Sequence, residues 1–225
     1  MAKTIRFTQD FKQDLERIRF AGRPYAFVRF GDGERAHCVN RPVKAAAGWA
    51  YDGSDTPLSR KVRTLVTSNT PGMYLGISCP CCDKPSHEWY QRNMTTPIDR
   101  VTYANLFVNG NHKRFMRMYG TLKRSDIFLV SCAKGDITVP KNAVNPEWDY
   151  TKALEKLLTV RKPIFVAAGP IKCGLIYDYW TQVPEENRQI IIDIGSSLDP
   201  MIHGRATRRY QKPGTDTSTR TCVWS

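Results

Sequence analysis

The sequence has no apolar run approaching the ~20 residues that span a bilayer, and its first residues, Met1-Ala2-Lys3-Thr4-Ile5-Arg6, lack the apolar stretch of a secretory signal. The expectation is a cytoplasmic protein (in the host cytoplasm if the chain is phage-encoded). Cysteine is sparse and uneven: seven residues, of which Cys38, Cys132, Cys173 and Cys222 are scattered. That excludes a disulfide framework and favours reduced thiols. Cys79-Pro80-Cys81-Cys82 does crowd three of them, with His87 close behind. A structural Zn²⁺ at Cys79 and Cys82 would want four ligands, and no second Cys pair at matching spacing follows. His87 with His37, Cys38 or His112 would complete a set only through the fold, so small thiols in a tight turn are the plainer reading. Internal repeats and low-complexity linkers are absent. There is no Walker loop, and no Gly-x-Gly-x-x-Gly follows an apolar strand, which disfavours a kinase or a dehydrogenase.

Acidic residues are also in short supply. The 34 Lys and Arg exceed the 21 Asp and Glu by 13, a field that draws polyanions. Two stretches concentrate it. Arg100 to Arg124 holds six Lys or Arg and no acid, with Tyr103, Phe107, Phe115 and Tyr119 interleaved, and from His203 onward Arg205, Arg208, Arg209, Lys212 and Arg220 face only Asp216. The competing reading is a solvated basic surface.

At 225 residues the chain is long enough for one substantial core and too short for two ordinary domains. Thr8 is placed to cap a helix carrying Phe11, Leu15 and Ile18. Tyr25 to Phe30 reads as a buried strand, Leu58 to Val66 as a helix and Met73 to Ile77 as a strand. A helix over Ser86–Met94, a strand over Val101–Val108 and a basic helix through Tyr119 follow. Asp126–Ser131 and Pro163–Ala168 read as strands on either side of a helix carrying Leu154, Leu157 and Leu158. A helix after Gly169-Pro170 and a strand over Gln189–Ile194 complete the pattern. Near-continuous apolar strands alternating with helices predict an α/β fold, a Rossmann-like, mostly parallel sheet with helices on both faces. One domain is expected over residues 1–210, with a basic, flexible tail over 211–225.

Ligands of such sheets bind beyond the carboxyl ends of the strands. Those ends carry Gly31-Asp32-Gly33-Glu34, Ser131 to Asp136, Gly169-Pro170 and Asp193-Ile194-Gly195-Ser196-Ser197. Asp32 and Glu34, two apart in a turn that Gly31 and Gly33 leave open to close approach, offer oxygens to a hard cation such as Mg²⁺ or Mn²⁺. A solvated turn is the plain alternative. Arg29, just before it, has the donor fork that suits a diphosphate if its side chain reaches the crevice.

Arg29-Phe30-Gly31-Asp32-Gly33-Glu34 resembles the Arg-Phe-Gly-Asp-Gly-Glu signature of GT-D-type glycosyltransferases. Ala168-Gly169-Pro170 and Ile192-Asp193-Ile194-Gly195-Ser196 are similar to later strand-end motifs of that family, in the same order. The resemblance implies a Rossmann-like fold, a divalent metal at Asp32 and Glu34, a nucleoside-diphosphate sugar as donor and Arg29 as a phosphate contact. Hexosyl and pentosyl transfer are both open.

Such a transfer must neutralise a departing diphosphate. Lys134, Lys172, the helix start at Gly169, Arg205 and Arg208 are candidates for that work, and each is equally readable as a surface residue. An inverting reaction needs a base for the acceptor hydroxyl, for which Asp136, Asp199 and His203 follow suitable strands. Trp49, Tyr51, Trp89, Tyr90 and Trp148 are available to stack on a base or sugar, although most aromatics are core. The basic balance suits a hydroxymethylated base in DNA as acceptor, as in phage-type DNA modification. A protein-linked or cell-surface glycan is the alternative acceptor, and a membrane-linked one a third. Two other readings stand beside the transferase: a metal-dependent nuclease or nucleic-acid-binding protein using Asp32, Glu34 and Asp193, and a non-catalytic binding module.

Overall fold

Short apolar stretches that alternate large side chains to both sides give the molecule its centre. In a computed structural model describing residues 5–19, 21–44, 49–119, 122–140 and 148–212, these stretches pair into a seven-stranded sheet. Its strands are β1 (Ala26–Phe30), β4 (Met73–Ile77), β5 (Val101–Tyr103), β6 (Phe128–Ser131), β7 (Ile137–Thr138), β8 (Ile164–Ala167) and β9 (Ile191–Asp193). The order across the sheet is β5-β4-β1-β9-β8-β6-β7, and every pairing is parallel. A small antiparallel pair, β2 (Val43–Lys44) and β3 (Ala50–Tyr51), stands apart from it. Strands from the two halves of the chain meet at the β1–β9 pair, so the chain folds as one domain.

Strand periodicity assigns each side chain a face. Ala26, Val28, Phe30, Leu75, Val130, Val166 and Ile191 point to one side. There they pack under α3 (Pro57–Thr67), α4 (Lys84–Asn93), α6 (Tyr150–Leu158) and α7 (Ile171–Gln182), through Val62, Leu65, Tyr90, Leu157, Leu175 and Ile176. Phe27, Tyr74, Leu129, Phe165 and Ile192 point to the other. They meet Phe11, Leu15 and Ile18 of α1 (Phe11–Arg19), Phe115 of α5 (His112–Tyr119) and Ile202 of α8 (Asp199–His203). Burying each such large side chain contributes about 1.5–3 kcal/mol. Both faces being covered explains why the strands read as apolar runs rather than as alternating ones.

Three of the helices start where a short polar residue just ahead of them takes a free N–H. Thr56 Oγ1 accepts from Ser59 N (3.1 Å) ahead of α3, Asp83 Oδ1 from Ser86 N (3.2 Å) ahead of α4, and Asp149 Oδ1 from Lys152 N (3.0 Å) ahead of α6. At α1 the expected cap is corrected. Asp10 Oδ1 takes Gln13 N (2.8 Å), while Thr8 donates its N–H to Asp14 (2.8 Å). The strand expected over Val101–Val108 stops at Tyr103, because Ala104 to Phe107 turn and send Leu106 and Phe107 into the core. Most consequentially, Asp32-Gly33-Glu34 is the first turn of a helix, α2 (Asp32–Cys38), with Gly31 as its N-cap. Of the expected tail, Gln211 and Lys212 are described, and 213–225 lie outside the described residues. No helix among the described residues is long and apolar enough to cross a membrane.

Asp14 is the polar pin of the α1 side. Fully buried, it accepts from Thr102 Oγ1 of β5 (2.6 Å) as well as from Thr8 N. Asp14→Ala strands these donors and is expected to cost about 1–3 kcal/mol. Thr102→Val in the same background should add little, because it removes one of the stranded donors. Urea denaturation of the two single variants and the double variant measures this coupling.

Candidate functional site

The carboxyl ends of β1 and β9, the border between the two halves of the sheet, carry an unusual load of charge. Asp193 ends β9 fully buried on the α7 side. Its Oδ2 accepts from the backbone N–H of Arg29 (3.1 Å) and its Oδ1 from that of Gly195 (2.9 Å). Lys172, in the first turn of α7, reaches the same carboxylate with Nζ at 2.6 Å, and Glu34 Oε1 at 3.1 Å. The other Glu34 oxygen accepts from Gly31 N (2.9 Å), closing the first turn of α2 on itself. Only about a tenth of the Lys172 and Glu34 side chains is exposed. One ammonium thus sits between two buried carboxylates that three backbone N–H groups also hold.

The electrostatics follow from this packing. Burial opposes ionisation of Glu34, but the Lys172 ammonium and the Gly31 N–H outweigh it and hold its carboxyl below the ordinary 4.5. Burial likewise opposes the charge of Lys172, and Asp193 and Glu34 more than restore it, raising it above an ordinary lysine. Glu34 and Lys172 are therefore both charged at neutral pH.

Asp32 differs. It is exposed at the first position of α2, and its carboxylate has no partner among the described residues. Its turn is fixed from behind: Tyr90 Oη donates to Gly31 O (2.7 Å), and the Tyr90 ring packs on Phe30. Of the Asp32–Glu34 pair, Asp32 alone offers its oxygens to an incoming cation. Over the same turn lies Trp49, half-buried, whose indole comes within 2.7 Å of where a Gly33 β-carbon would stand and 3.4 Å of the corresponding point at Gly169. Gly33 is thus required for close approach, and Trp49 bridges the turns after β1 and β8. Behind it, His37 stacks on Tyr51 at 3.9 Å with both ring nitrogens buried and unpartnered among the described residues. Burial lowers its pKa, against the pull of Glu34, so the ring is neutral.

Arg29 goes to the opposite face. Nε donates to the carbonyl of Ala104, and the guanidinium fills the space beside Gly195, leaving no room there for a β-carbon. The segment after α8 folds back over the same turn. Tyr210 Oη lies 2.6 Å from Ser196 Oγ, and Gln211 donates to Ser196 O. Arg208 is half-buried in this segment and Arg205 is exposed.

The other expected residues scatter. Asp136 does not reach the carboxyl edge, because the chain doubles back after β6 to enter β7. Its carboxylate accepts from Leu129 N (2.8 Å), near the start of β6, and pairs with Arg124 (2.8 Å). Lys134 is exposed on that turn. Asp199 accepts from Thr207 Oγ1 and His203 is exposed at the end of α8. Among the described residues no contact joins Asp199 or His203 to the Lys172 cluster.

The chain is similar to a solved structure of a domain of unknown function, numbered 1792, that is described as having a distinct glycosyltransferase fold. The TM-score is 0.52 at 15% sequence identity, over 90% of this chain and 83% of that one. A selenomethionine-substituted structure of domain 1792 gives a TM-score of 0.51 at 15% identity, over the same shares. The fold is glycosyltransferase-like. No family model and no curated protein matches the chain. The likeness carries the architecture, and the placement of Lys172, Asp193 and Trp49 comes from the chain itself.

Removing Lys172 leaves two buried carboxylates uncompensated. Lys172→Met is expected to destabilise the protein by about 3–5 kcal/mol, with Glu34→Gln in the same background recovering part of the loss. The pH dependence has a definite sign. Because folded Glu34 ionises below the ordinary 4.5, its contribution is complete above that value and is lost as the pH falls through the lower folded value. Urea midpoints measured down the acid limb should fall less steeply in Glu34→Gln than in the native chain.

Proposed function

We propose that the chain is a metal-dependent glycosyltransferase of the GT-D type, transferring a sugar from a nucleoside diphosphate to an acceptor hydroxyl. The fold likeness supports the transferase class, and the Arg-Phe-Gly-Asp-Gly-Glu resemblance supports the donor and the metal. The observation that carries the reading is Asp32: a solvent-facing carboxylate with no partner among the described residues, on a turn whose Gly31 N–H and carbonyl are bonded to Glu34 and Tyr90, at the strand end where such folds bind ligands. One exposed carboxylate fits Mn²⁺ or Mg²⁺, which bind through one or two carboxylates plus substrate phosphates. Glu34 fits direct ligation poorly, with one oxygen on Gly31 N–H and the other 3.1 Å from the Lys172 ammonium. Its role in this reading is to position Asp32. A cation held there when bound would neutralise diphosphate charge as the bond to the sugar breaks.

The residues of the chain divide the remaining work. Lys172 holds Glu34 and Asp193 rather than the donor, and Arg29, braced on Ala104, lies with Arg208 on the opposite face at the Gly195 turn. Trp49 offers an indole face across Gly33 and Gly169 for the base or sugar. The excess of 13 positive charges supports a polyanionic acceptor, which we take to be a hydroxymethylated base in DNA. A nuclease using Asp32, Glu34 and Asp193 together is not favoured, because an ammonium already lies between two of the three.

A thermal-shift screen of nucleotide sugars, each with and without Mn²⁺, tests the donor and the metal. A cognate donor at 100 times its Kd stabilises by about 2.7 kcal/mol, which for a chain of this size is roughly 5–10 °C. The shift should require Mn²⁺ and disappear in Asp32→Asn, whose own melting temperature stays near that of the native chain. If no donor shifts the protein under any metal condition, the transferase reading fails. Transfer to hydroxymethylated DNA against transfer to glycans, with the donor so identified, then separates the acceptors.

A further inference from the structure

A second cluster lies one strand away from Asp32. After β4 the chain passes through Ser78 and makes a tight turn over Cys79-Pro80-Cys81-Cys82, in which the N–H groups of Cys82 (3.2 Å) and Asp83 (3.1 Å) both donate to Cys79 O. Folding the turn this way gathers three sulfurs. Cys79 and Cys81 Sγ are 3.2 Å apart, Cys81 and Cys82 Sγ 4.0 Å, and all three lie within 4.8 Å of one another. The Cys79 sulfur is buried and accepts from Asn105 Nδ2 (3.8 Å), while Cys81 and Cys82 are exposed. Cys81, which the Cys-x-x-Cys spacing passes over, thus supplies a third ligand beside Cys79 and Cys82.

We propose that Cys79, Cys81 and Cys82 form a three-thiolate site for a thiophilic divalent cation, Zn²⁺, with a fourth position open to solvent. Three features carry it. A tetrahedral ion with Zn–S bonds of about 2.3 Å needs sulfurs about 3.8 Å apart; the separations of 3.2 and 4.0 Å bracket that edge and the third is no more than 4.8 Å, so the ion enters with sulfur shifts of about an ångström or less. The donor set is all sulfur, which selects Zn²⁺ over the Mn²⁺ or Mg²⁺ proposed at Asp32. The turn also leads directly into the N-terminus of α4, whose dipole favours the thiolates formed as the ion displaces their protons. The hydrogen bond from Asn105 to Cys79 resembles the support that metal ligands commonly receive from neighbouring groups. Asn105 adjoins Ala104, the carbonyl that braces Arg29. The ion would therefore pin the β4 and β5 turns that hold Arg29 in place, a structural role beside the transferase site and independent of the donor.

The full chain, reduced and stripped of metal, tests this by competition for Zn²⁺ against a chromophoric chelator, with Cd²⁺ used to count thiolates from the ultraviolet ligand-to-metal band. One equivalent of Zn²⁺ and a Cd²⁺ band of three-thiolate intensity are expected. Cys81→Ser and Cys82→Ser, at exposed positions that leave the fold intact, should each weaken Zn²⁺ more than about 100-fold, beyond the ~10–100-fold typical of losing a supporting hydrogen bond. Cys132→Ser should change nothing. The proposal is overturned if the reduced chain binds no Zn²⁺, or if affinity and stoichiometry survive Cys81→Ser and Cys82→Ser. Neither result touches the Mn²⁺-dependent donor shift, so the two readings fail separately.

Discussion

The Lys172 ammonium between Glu34 and Asp193 is the constraint on which the rest of the site depends. Three charges leave water to form it, and an apolar cluster of the same shape would give similar stability without that desolvation cost. What the ions give is position. Lys172 belongs to α7, Glu34 to α2 and Asp193 to β9, and Asp193 also takes the N–H of Arg29 on β1. One group of contacts therefore fixes the relative placement of four elements at the carboxyl edge. Because Glu34 also closes back on Gly31 N, the turn that carries Asp32 has little freedom left. The exposed carboxylate is set by the buried ones.

That arrangement explains how two acidic residues two apart in sequence come to have different jobs. At the start of a helix, the side chain of the third residue turns back toward the cap, while that of the first points outward. In an extended turn both carboxylates would face the same ligand. In α2 they part company, one toward Lys172 and the other toward solvent. The Gly-Asp-Gly-Glu composition reads as a loop because two glycines weaken helix propensity. The helix forms regardless, since Gly31 serves as N-cap, Glu34 satisfies the cap N–H, and Ala36 and Cys38 bury against the core.

Much of the architecture was legible for a physical reason. Strands covered on both faces must be apolar throughout, so β1, β4, β6 and β8 stand out within a residue or two of their ends. The over-long strand at Val101–Val108 shows the limit, since Phe107 and Val108 are apolar as core residues of a turn. Strand alternation alone places Arg29. With Val28 and Phe30 on the α7 side, Arg29 must share the face of Phe27, away from Glu34 and Lys172. The partners of the buried cluster were beyond any spacing rule. Glu34, Lys172 and Asp193 are far apart in sequence, and only the β1–β9 pairing with α7 across it brings them together. Asp136 illustrates the reverse, a residue following a suitable strand that a reversing turn carries back to the wrong end.

Charge is subject to the same distinction between composition and placement. The basic run from Arg100 to Arg124 reads as a polyanion surface, yet Arg100 donates to Thr70 O, Arg114 lies over the ring of Phe11, and Arg124 pairs with Asp136. Half of its six Lys or Arg side chains therefore make intramolecular contacts. A guanidinium held by a carbonyl or a ring keeps its charge and contributes to the long-range field, but it is less free to follow a phosphate. The field that steers an anion toward the molecule thus belongs to the whole surface. Discrimination among anions, in the proposed transferase, would fall to the few groups at the carboxyl edge whose geometry is fixed. In the proposed transferase, the net charge would bear on the acceptor class, while Asp32 and its buried supports would bear on the chemistry.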